Sequence, residues 1–260
     1  MRKFVIRIVG ELSIWKLGYY KNQVVPGKVY RQTNAEITRL TDFYTQFLLP
    51  GNLCFDVGAN RGDFTRAFLN CGARVVAIEP QPNCFGYLKF LFGNSVILVN
   101  KGLGEKEEEK EMHLSSDHTI SSFSAEWIAS VKATRFSAFS WNRTQQMQLT
   151  TLDLLIAQYG IPAFVKIDVE GYEPEVLKGL SKSIKLISFE YTVPEQTAKA
   201  LFCLEKIASL SPRVECNYTL ADTYAWALET WITPAEMNRH INSSAFLESG
   251  SGDIYVRQQA

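Results

Sequence analysis

The sequence predicts an α/β protein built on a parallel, doubly wound sheet, and three observations support this fold class. Short apolar runs rich in Val, Ile and Phe stop at acidic residues or glycines, as buried parallel strands do. Segments of helical periodicity alternate with these runs, at about 20–25 residues from one strand to the next. A chain of 260 residues that is 46% hydrophobic is long enough for one such domain, and its apolar content excludes disorder throughout.

The first predicted element is an amphipathic helix over residues 34–48, which Pro50 ends together with the glycine that follows it. We therefore expect residues 1–50 to form an N-terminal helical extension. Residues 51–260 form the main domain, because strands and helices alternate on both sides of one irregular stretch. That stretch, about 112–148, is predicted to be an insertion that packs over one end of the sheet.

From residue 53 onward the alternation predicts six strands and five helices. The strands are LCFDVG, ARVVAIEP, SVILVNKGLG, AFVKIDVEG, KLISFEYT and GDIYVRQQ. The helices are DFTRAFLNCG, PNCFGYLKFLF, TTLDLLIAQYG, EPEVLKGL and residues 195–210. The charged run EKEEEKE at 105–111 is predicted to be a solvated loop or hairpin tip.

Composition limits the partners and the compartment. The chain has 27 basic and 27 acidic side chains, so its zero formal charge gives no reason to expect nucleic acid or an anionic membrane as partner. No run approaches the roughly 18–20 apolar residues of a membrane span, and Arg7 and Glu11 interrupt the signal-like start. Five cysteines without a C-x-x-C pair are typical of buried thiols. A soluble, cytoplasmic protein is expected, and nothing indicates its oligomeric state.

The turn after the first predicted strand, FDVGANRGDFT, is the most informative segment. Gly58 and Gly62 allow a ligand or another backbone to approach closely, and such turns lie where open α/β sheets bind ligands. The dinucleotide pattern G-x-G-x-x-G is absent, because Asn60 and Asp63 occupy its second and third glycine positions. Asp56 at the strand end suits a cationic or hydroxyl-bearing ligand better than a pyrophosphate.

The second predicted strand ends at Glu79, about 20 residues after Gly58. An acidic residue in this position can accept hydrogen bonds from both hydroxyls of a ribose. The alternative is an acid that only stabilises the N-terminus of the next helix. The glycine-rich turn at this spacing favours the ribose interpretation.

A third acidic group follows the strand in VKIDVEGYE, where Asp168, Glu170 and Glu173 lie within six residues. Such clustering can raise a pKa for general-base catalysis or hold a divalent cation. For Glu173 we favour a structural role in the first turn of the next helix. For Asp168 we favour a functional role, because it falls on the same sheet edge as Asp56 and Glu79.

The segments FDVGANRGDFT, AIEPQP, VNKGLGE, TTLD and VKIDVEGYEPEVLKGL, in this order and spacing, resemble the FkbM family of S-adenosylmethionine-dependent methyltransferases. The resemblance covers about residues 52–192. It implies the Rossmann-like class I methyltransferase fold, a seven-stranded, mostly parallel sheet with an antiparallel last strand and helices on both faces. It also implies S-adenosylmethionine as cofactor, with a divalent cation as a further possibility.

The resemblance also implies roles for individual residues. Glu79 would bind the ribose, Asn100 would lie beside the adenine, and the turn with Asp168 and Glu170 would face the methyl group and the acceptor. The remaining residues expected to line the cofactor pocket are Asp56, Gly58, Asn60 and Gly62. The parts that match no family pattern, the first 50 residues and those after about 193, are expected to set acceptor specificity together with the insertion.

The expected reaction is O-methylation of a hydroxyl on a sugar, a glycan or a secondary metabolite. Asp168 or Glu170 would accept the hydroxyl proton, directly or with a metal ion, and His118 is an alternative base. Glu190, at a strand end, is a further residue that could face the acceptor. An aromatic stripe could stack on a flat acceptor, although such residues more often form core. Its members are Trp127, Phe136, Phe139 and Trp141.

Two other functions remain open from the sequence. An NAD-dependent oxidoreductase shares the strand-turn-helix and the acidic residue, but this chain lacks two of the three glycines of its fingerprint. A non-catalytic nucleotide-binding protein on the same fold is the second alternative, because fold does not fix function.

Overall fold

The computed structural model describes residues 28–211, 213–221 and 223–259. Within these residues the chain forms ten strands and nine α-helices. The strands are β1 (Leu53–Val57), β2 (Arg74–Ile78), β3 (Ile97–Val99), β4 (Gly102–Leu103), β5 (Glu108–Leu114), β6 (Arg143–Thr150), β7 (Phe164–Ile167), β8 (Leu186–Thr192), β9 (Val214–Leu220) and β10 (Ser251–Gln258). The helices are α1 (Lys28–Tyr44), α2 (Asp63–Asn70), α3 (Pro82–Phe92), α4 (Ala125–Lys132), α5 (Leu152–Tyr159), α6 (Glu173–Lys178), α7 (Thr197–Ser209), α8 (Pro234–Ile241) and α9 (Ser244–Leu247).

Seven of the strands form one sheet in the order β3-β2-β1-β7-β8-β10-β9. The neighbours β3, β2, β1, β7 and β8 pair in parallel, whereas β10 is antiparallel to both β8 and β9. Strand order reverses between β1 and β7, and crevices that bind ligands open at such points. The predicted seven-stranded, mostly parallel sheet with an antiparallel last strand is confirmed.

Helices cover both faces of this sheet, as the alternation of side chains along its strands requires. Phe55 and Val57 of β1 face a core that α5, α6, α7 and α8 help to form. Cys54 and Ala77 face the other core, which includes residues of α1, α2 and α3. Both faces are apolar because parallel strands are buried on each side.

Helix α1 covers one face of the sheet with aromatic side chains. The Tyr44 hydroxyl lies 3.3 Å from that of Tyr255 in β10, and the Tyr44 ring packs edge-on against Phe68 of α2 at 4.8 Å between centroids. The predicted helix began at residue 34, whereas α1 runs from Lys28. The rest of the predicted extension, residues 1–27, lies outside the described residues, and the boundary at residue 50 remains a prediction.

The charged run at 105–111 is not only a loop, so that prediction is wrong in part. Its second half enters β5, which pairs antiparallel with β6 in a small sheet of order β4-β6-β5. Glu109 and Glu111 are exposed, and buried Met112 anchors the strand in the core. A run of charged residues carries no apolar alternation, so the strand could not be predicted from it.

The segment between β5 and β6 contains a 3₁₀ turn at His118–Ile120 and helix α4. Trp127 of α4 is only 1% exposed and packs with Ile120 and Val131, with Phe136, Phe139 and Trp141 around them. The indole N–H of Trp141 donates to the Ile120 carbonyl oxygen at 2.8 Å. Trp127 is therefore a core residue, and the other three members of the aromatic stripe pack around it half-buried.

Two further observations concern the chain as a whole. Across the described residues, every α-helix is too short or too polar to cross a lipid bilayer. The five cysteines are buried free thiols.

Candidate functional site

A cavity of about 450 Å³, here called cavity I, opens at the carboxyl ends of β1, β2 and β7. Its walls come from the turns after these strands and from the segment between β5 and β6. The residues that line it are Val57–Phe64, Ile78–Gln81, Lys101–Leu103, Met112, Asp117–Thr119, Ser121, Phe123, Asp168–Glu170 and Tyr172. Its volume lies in the range of about 300–1,000 Å³ that is usual for small-molecule sites.

The floor of cavity I depends on a close contact between the turns after β1 and β7. Gly58 has φ +84°, and a Cβ at this position would overlap the carbonyl oxygen of Asp168. Only glycine satisfies both the left-handed backbone and the close approach. At the other turn, Gly171 (φ +82°) packs directly under the Trp127 ring. Gly58 therefore allows the close approach of the two turns, and Gly171 allows α4 to pack on the second of them.

Glu79 lines cavity I and is held by backbone amides. Its Oε2 accepts the N–H of Asn60 at 2.9 Å, and its Oε1 accepts the N–H of Gln81 at 2.7 Å. Each carboxylate oxygen has a second lone pair, so both remain able to accept a ligand hydroxyl. Burial raises the pKa of Glu79 to about 7, although these two backbone hydrogen bonds lower it in part.

Asp56, which was predicted to line the pocket, is not among the residues that line cavity I. Side chains alternate along β1, and its carboxylate points to the face of α2, where the Thr65 hydroxyl donates to its Oδ2. Burial raises the pKa of Asp56 to about 6. Asp56 therefore ties the strand to α2 and does not face the cavity.

Asn100, which is predicted to lie beside the adenine, also lies outside the lining of cavity I. Its side-chain amide donates to the carbonyl oxygens of Glu79 at 2.9 Å and Pro80 at 3.1 Å. Asn100 therefore stabilises the turn after β2 through these two hydrogen bonds. The other predicted lining residues, Gly58, Asn60 and Gly62, do line the cavity.

His118 lies on the side of cavity I that adjoins the turns after β1 and β2. Its carbonyl oxygen accepts the side-chain amides of Gln81 at 3.0 Å and Asn60 at 3.4 Å. Its ring Nδ1 is buried, and no hydrogen-bond partner reaches it within the described part of the chain. Burial, followed by the charge of Arg61, lowers the pKa of His118, so the ring is neutral at pH 7 and can act as donor or acceptor.

The opposite side of cavity I centres on Asp168 and the buried Lys166. The Lys166 ammonium donates to Oδ2 of Asp168 at 2.8 Å and lies 3.6 Å from Oδ1 of Asp253. Burial alone would lower the pKa of Lys166, but the charges of Asp168 and Asp253 raise it above its usual range. Lys166 also stands in register with Asp56 on β1, and its charge partly offsets the effect of burial on the pKa of Asp56.

The sequence analysis missed both Lys166 and Asp253. A signal existed for Lys166, because a lysine between Val165 and Ile167 inside a buried strand needs an acidic partner. Asp253 similarly precedes the apolar run of β10. Neither residue lies in a turn, and the prediction considered only strand ends.

Glu170 and Glu190 join Asp168 in one acidic cluster. One carboxylate oxygen of each residue lies within 4.8 Å of those of the other two. Burial, followed by the charge of Asp168, raises the pKa of both Glu170 and Glu190 well above the usual value. Such a cluster can bind protons or hold a cation.

Glu173 has the structural role that the sequence favoured. Its Oε1 accepts the N–H groups of Val169 and Gly171, each at 3.1 Å, and its side chain is buried. Burial raises the pKa of Glu173 to about 7. The carboxylate therefore fixes the turn on which Glu170 stands, and Glu170 itself has a left-handed backbone with φ +54°.

The charges around cavity I favour a cationic ligand with hydroxyl groups. The lining contains five carboxylates and two cationic side chains, whereas Ile78, Leu103, Met112 and Phe123 supply apolar walls. A pyrophosphate would meet mainly repulsion here. The carboxylates are Asp63, Glu79, Asp117, Asp168 and Glu170, and the cations are Arg61 and Lys101.

Several solved structures of similar fold are methyltransferases of low sequence identity. A precorrin-6y C5,15-methyltransferase of Geobacter metallireducens is 12% identical, with TM-score 0.45 over 85% of this chain and 86% of its own. A TehB-like SAM-dependent methyltransferase of Corynebacterium glutamicum is 9% identical, with TM-score 0.46 over 95% and 98%. An O-methyltransferase of Bacillus cereus in complex with SAH is 12% identical, with TM-score 0.39 over 95% and 100%. Because these identities are low and the TM-scores lie below 0.5, the matches assign no activity to this chain.

The sequence matches no curated protein. The model of the methyltransferase FkbM domain matches residues 56–219, which are more than half of the chain. The match includes both glycine turns, Glu79 and the acidic cluster. The chain belongs to the FkbM methyltransferase domain family, and it is a methyltransferase with the class I fold.

Proposed function

We propose that this methyltransferase uses S-adenosylmethionine bound in cavity I to methylate a hydroxyl of a sugar, a glycan or a secondary metabolite. The observation that carries the proposal is the position of two carboxylates in one cavity. Glu79 is held by backbone amides near the turn after β2, and Asp168 lies at the opposite side with its Oδ2 bound to Lys166. The first suits a ribose, and the second suits a reacting hydroxyl.

The residues present fit this cofactor. Glu79 keeps a free lone pair on each oxygen for the two ribose hydroxyls. The apolar residues of cavity I can enclose an adenine, and the neutral ring of His118 can hydrogen-bond to it. The excess of carboxylates complements a sulfonium cation, whereas a dinucleotide would bring two phosphates to the same walls. This charge argument and the family membership both disfavour the oxidoreductase alternative.

S-adenosylmethionine, when bound, supplies a methyl group that its sulfonium already activates. The protein then mainly aligns the acceptor with the methyl group. In favourable intramolecular models such alignment lowers the activation barrier by up to about 7–11 kcal/mol. Asp168 accepts the proton of the acceptor hydroxyl, whose oxygen takes the methyl group. A general base typically increases the rate of such a reaction by about 10²–10⁴-fold. Oδ1 of Asp168 is available for this step, because within the described residues hydrogen bonds reach only Oδ2.

Glu170 and Glu190 have a different role in the proposal. Their raised pKa values favour the protonated forms, which can donate hydrogen bonds to the acceptor. A divalent cation is not part of the proposed mechanism, because the acidic cluster alone does not establish one. His118 is assigned to the cofactor, since its contacts lie with Asn60 and Gln81.

Transfer of a tritiated methyl group from S-adenosylmethionine to a panel of sugars, glycans and hydroxylated metabolites tests the function. We expect label in an O-methyl product, and calorimetry should detect binding of S-adenosylhomocysteine but not of NAD. Binding of the cofactor without transfer to any acceptor would instead support the non-catalytic alternative. Cell fractionation tests the proposed cytoplasmic location, which the five free thiols support.

A further inference from the structure

A second cavity, here called cavity II, adjoins cavity I at the carboxyl edge of the sheet. It has a volume of about 390 Å³ and shares Asp63, Phe64 and Asp168 with cavity I. Its other walls come from α1, the end of β8, the segment after β9 and the start of β10. These lining residues are Glu36, Ile37, Arg39, Leu40, Glu190, Ala221, Tyr224, Ser251, Gly252 and Asp253.

The lining of cavity II is strongly acidic. It contains five carboxylates and one cationic side chain, Arg39. Lys166 lies behind the wall and pairs with Asp168 and Asp253, but it is only 1% exposed and does not line the cavity. A concave surface with this excess of negative charge attracts cations and repels anions. The five carboxylates are Glu36, Asp63, Asp168, Glu190 and Asp253.

One of these carboxylates, Asp253, has an oxygen without a hydrogen-bond donor among the described residues, although the Lys166 ammonium lies 3.6 Å from it. This oxygen, Oδ1, is inaccessible to solvent. Burial and then the charge of Asp168 raise the pKa of Glu190. An ammonium group, with three N–H donors and one positive charge, would complement the excess of carboxylates over cations in this lining.

Aromatic and apolar side chains complete the walls of cavity II. Phe64, Ile37 and Leu40 line one part, and Tyr224 lines another. Tyr224 has φ +47°, a backbone conformation that costs free energy in a non-glycine residue and is concentrated at functional sites. A lining that combines carboxylates with aromatic side chains is suited to a polar ring with several hydroxyl groups.

We propose that cavity II binds the methyl acceptor and that this acceptor is a polyhydroxylated molecule with a protonated amine, such as an amino sugar. The proposal rests on the proposed function, because it requires the methyl donor in cavity I. Asp168 then faces the donor on one side and the acceptor hydroxyl on the other, while Glu36 and Asp253 hold the ammonium group. Acceptors with phosphate or carboxylate groups are excluded by charge.

Three matched sugars test the proposal on the full chain saturated with S-adenosylhomocysteine. These are the methyl glycosides of glucosamine, glucose and glucuronic acid, with affinities measured by ligand-observed NMR at pH 7 and low salt. We expect the amine to bind about tenfold more tightly than the neutral sugar, which is about 1.4 kcal/mol. The acid should not bind. Added salt should reduce the preference, because it screens the charges.

Equal binding of the neutral sugar and the amine overturns the proposal, as does tighter binding of the acid. Failure of the amine to bind at tens of millimolar also overturns it. If S-adenosylhomocysteine itself does not bind, the proposed function fails first, so the two failures are distinguishable.

Glu36 provides a matched pair of variants, because it lines cavity II but not cavity I. Glu36→Lys should reduce the preference for the amine over the neutral sugar by about tenfold and leave the affinity for S-adenosylhomocysteine unchanged. The control is Asp42→Lys, the same charge reversal at an exposed acid on the same helix that lines neither cavity. An unchanged preference in Glu36→Lys contradicts the assignment of this wall.

Discussion

Cavities I and II lie side by side, but they are built in different ways. Cavity I is built largely from turns that directly follow β1, β2 and β7, and backbone amides hold its central acid, Glu79. Cavity II is built from side chains that come from α1, β8, β10 and the segment after β9. A site built from turns is encoded locally, whereas a site built from distant side chains depends on the completed fold.

This difference explains what the sequence could predict. The turn with Gly58 and the acid Glu79 lie within one strand-helix-strand unit, so their spacing alone indicated a ligand site. Asp56 and Asn100 belong to the same motif, but neither lines cavity I, and the place of Asn100 beside the adenine stays a prediction. Position in a motif does not tell which face of a strand or turn a side chain occupies.

Cavity II left no comparable signal. Glu36 and Asp253 are more than two hundred positions apart, and neither belongs to a recognisable motif. Glu190 was singled out only because it ends a strand. Strand β9 and helix α8 were not predicted at all, although β9 completes the edge of the sheet. The pairing of β10 between β8 and β9 is a long-range property that local periodicity does not reveal.

The residue that both cavities share should show the largest effect. Asp168→Asn should lower kcat by about 10²–10⁴-fold, because the amide cannot accept the acceptor's proton. The affinity for S-adenosylhomocysteine should change little, since the side chain keeps its shape. Calorimetry and a transfer assay measure the two quantities separately.

Asp253→Asn is the matched control for this experiment, because Asp253 also neutralises Lys166 but lines only cavity II. We expect Asp253→Asn to weaken acceptor binding and to lower kcat much less than Asp168→Asn does. If Asp168→Asn retains more than about half of kcat, Asp168 is not the base.

The local encoding of cavity I can be tested with two glycines of equal backbone conformation. Gly58→Ala should destabilise the fold by about 1–3 kcal/mol and weaken cofactor binding, because its Cβ would meet the Asp168 carbonyl. Gly51→Ala has the same left-handed strain, but nothing lies within 4 Å of the added Cβ. Gly51→Ala should therefore destabilise the fold less than Gly58→Ala does, and it should leave the cofactor affinity unchanged. Equal losses in the two variants would show that the close approach is unimportant.

The protonation of Glu79 should make cavity I sensitive to pH. The ribose hydroxyls bind the charged carboxylate best, and the pKa of free Glu79 is raised to about 7. Cofactor affinity should therefore increase about tenfold from pH 6 to pH 8, since the proton no longer has to be displaced. Calorimetry of Glu79→Gln should show weaker binding and a flat profile over this range. The same slope in the variant would assign the titration to another group.

Metal removal should produce the smallest effect. We expect turnover to be unchanged after chelation with EDTA, because Lys166 pairs with Asp168 and the raised pKa values of Glu170 and Glu190 favour their neutral forms, which bind cations poorly. A loss of activity that magnesium or manganese restores would contradict this account and assign the cluster to a cation.

A crystal structure of the complex with S-adenosylhomocysteine tests the central claim most directly. The account predicts the ribose hydroxyls within hydrogen-bond distance of Glu79, the sulfur at the side of cavity I where Asp168 lies, and cavity II free for the acceptor. A ligand whose sulfur lies away from Asp168, or one that occupies cavity II instead, would contradict it.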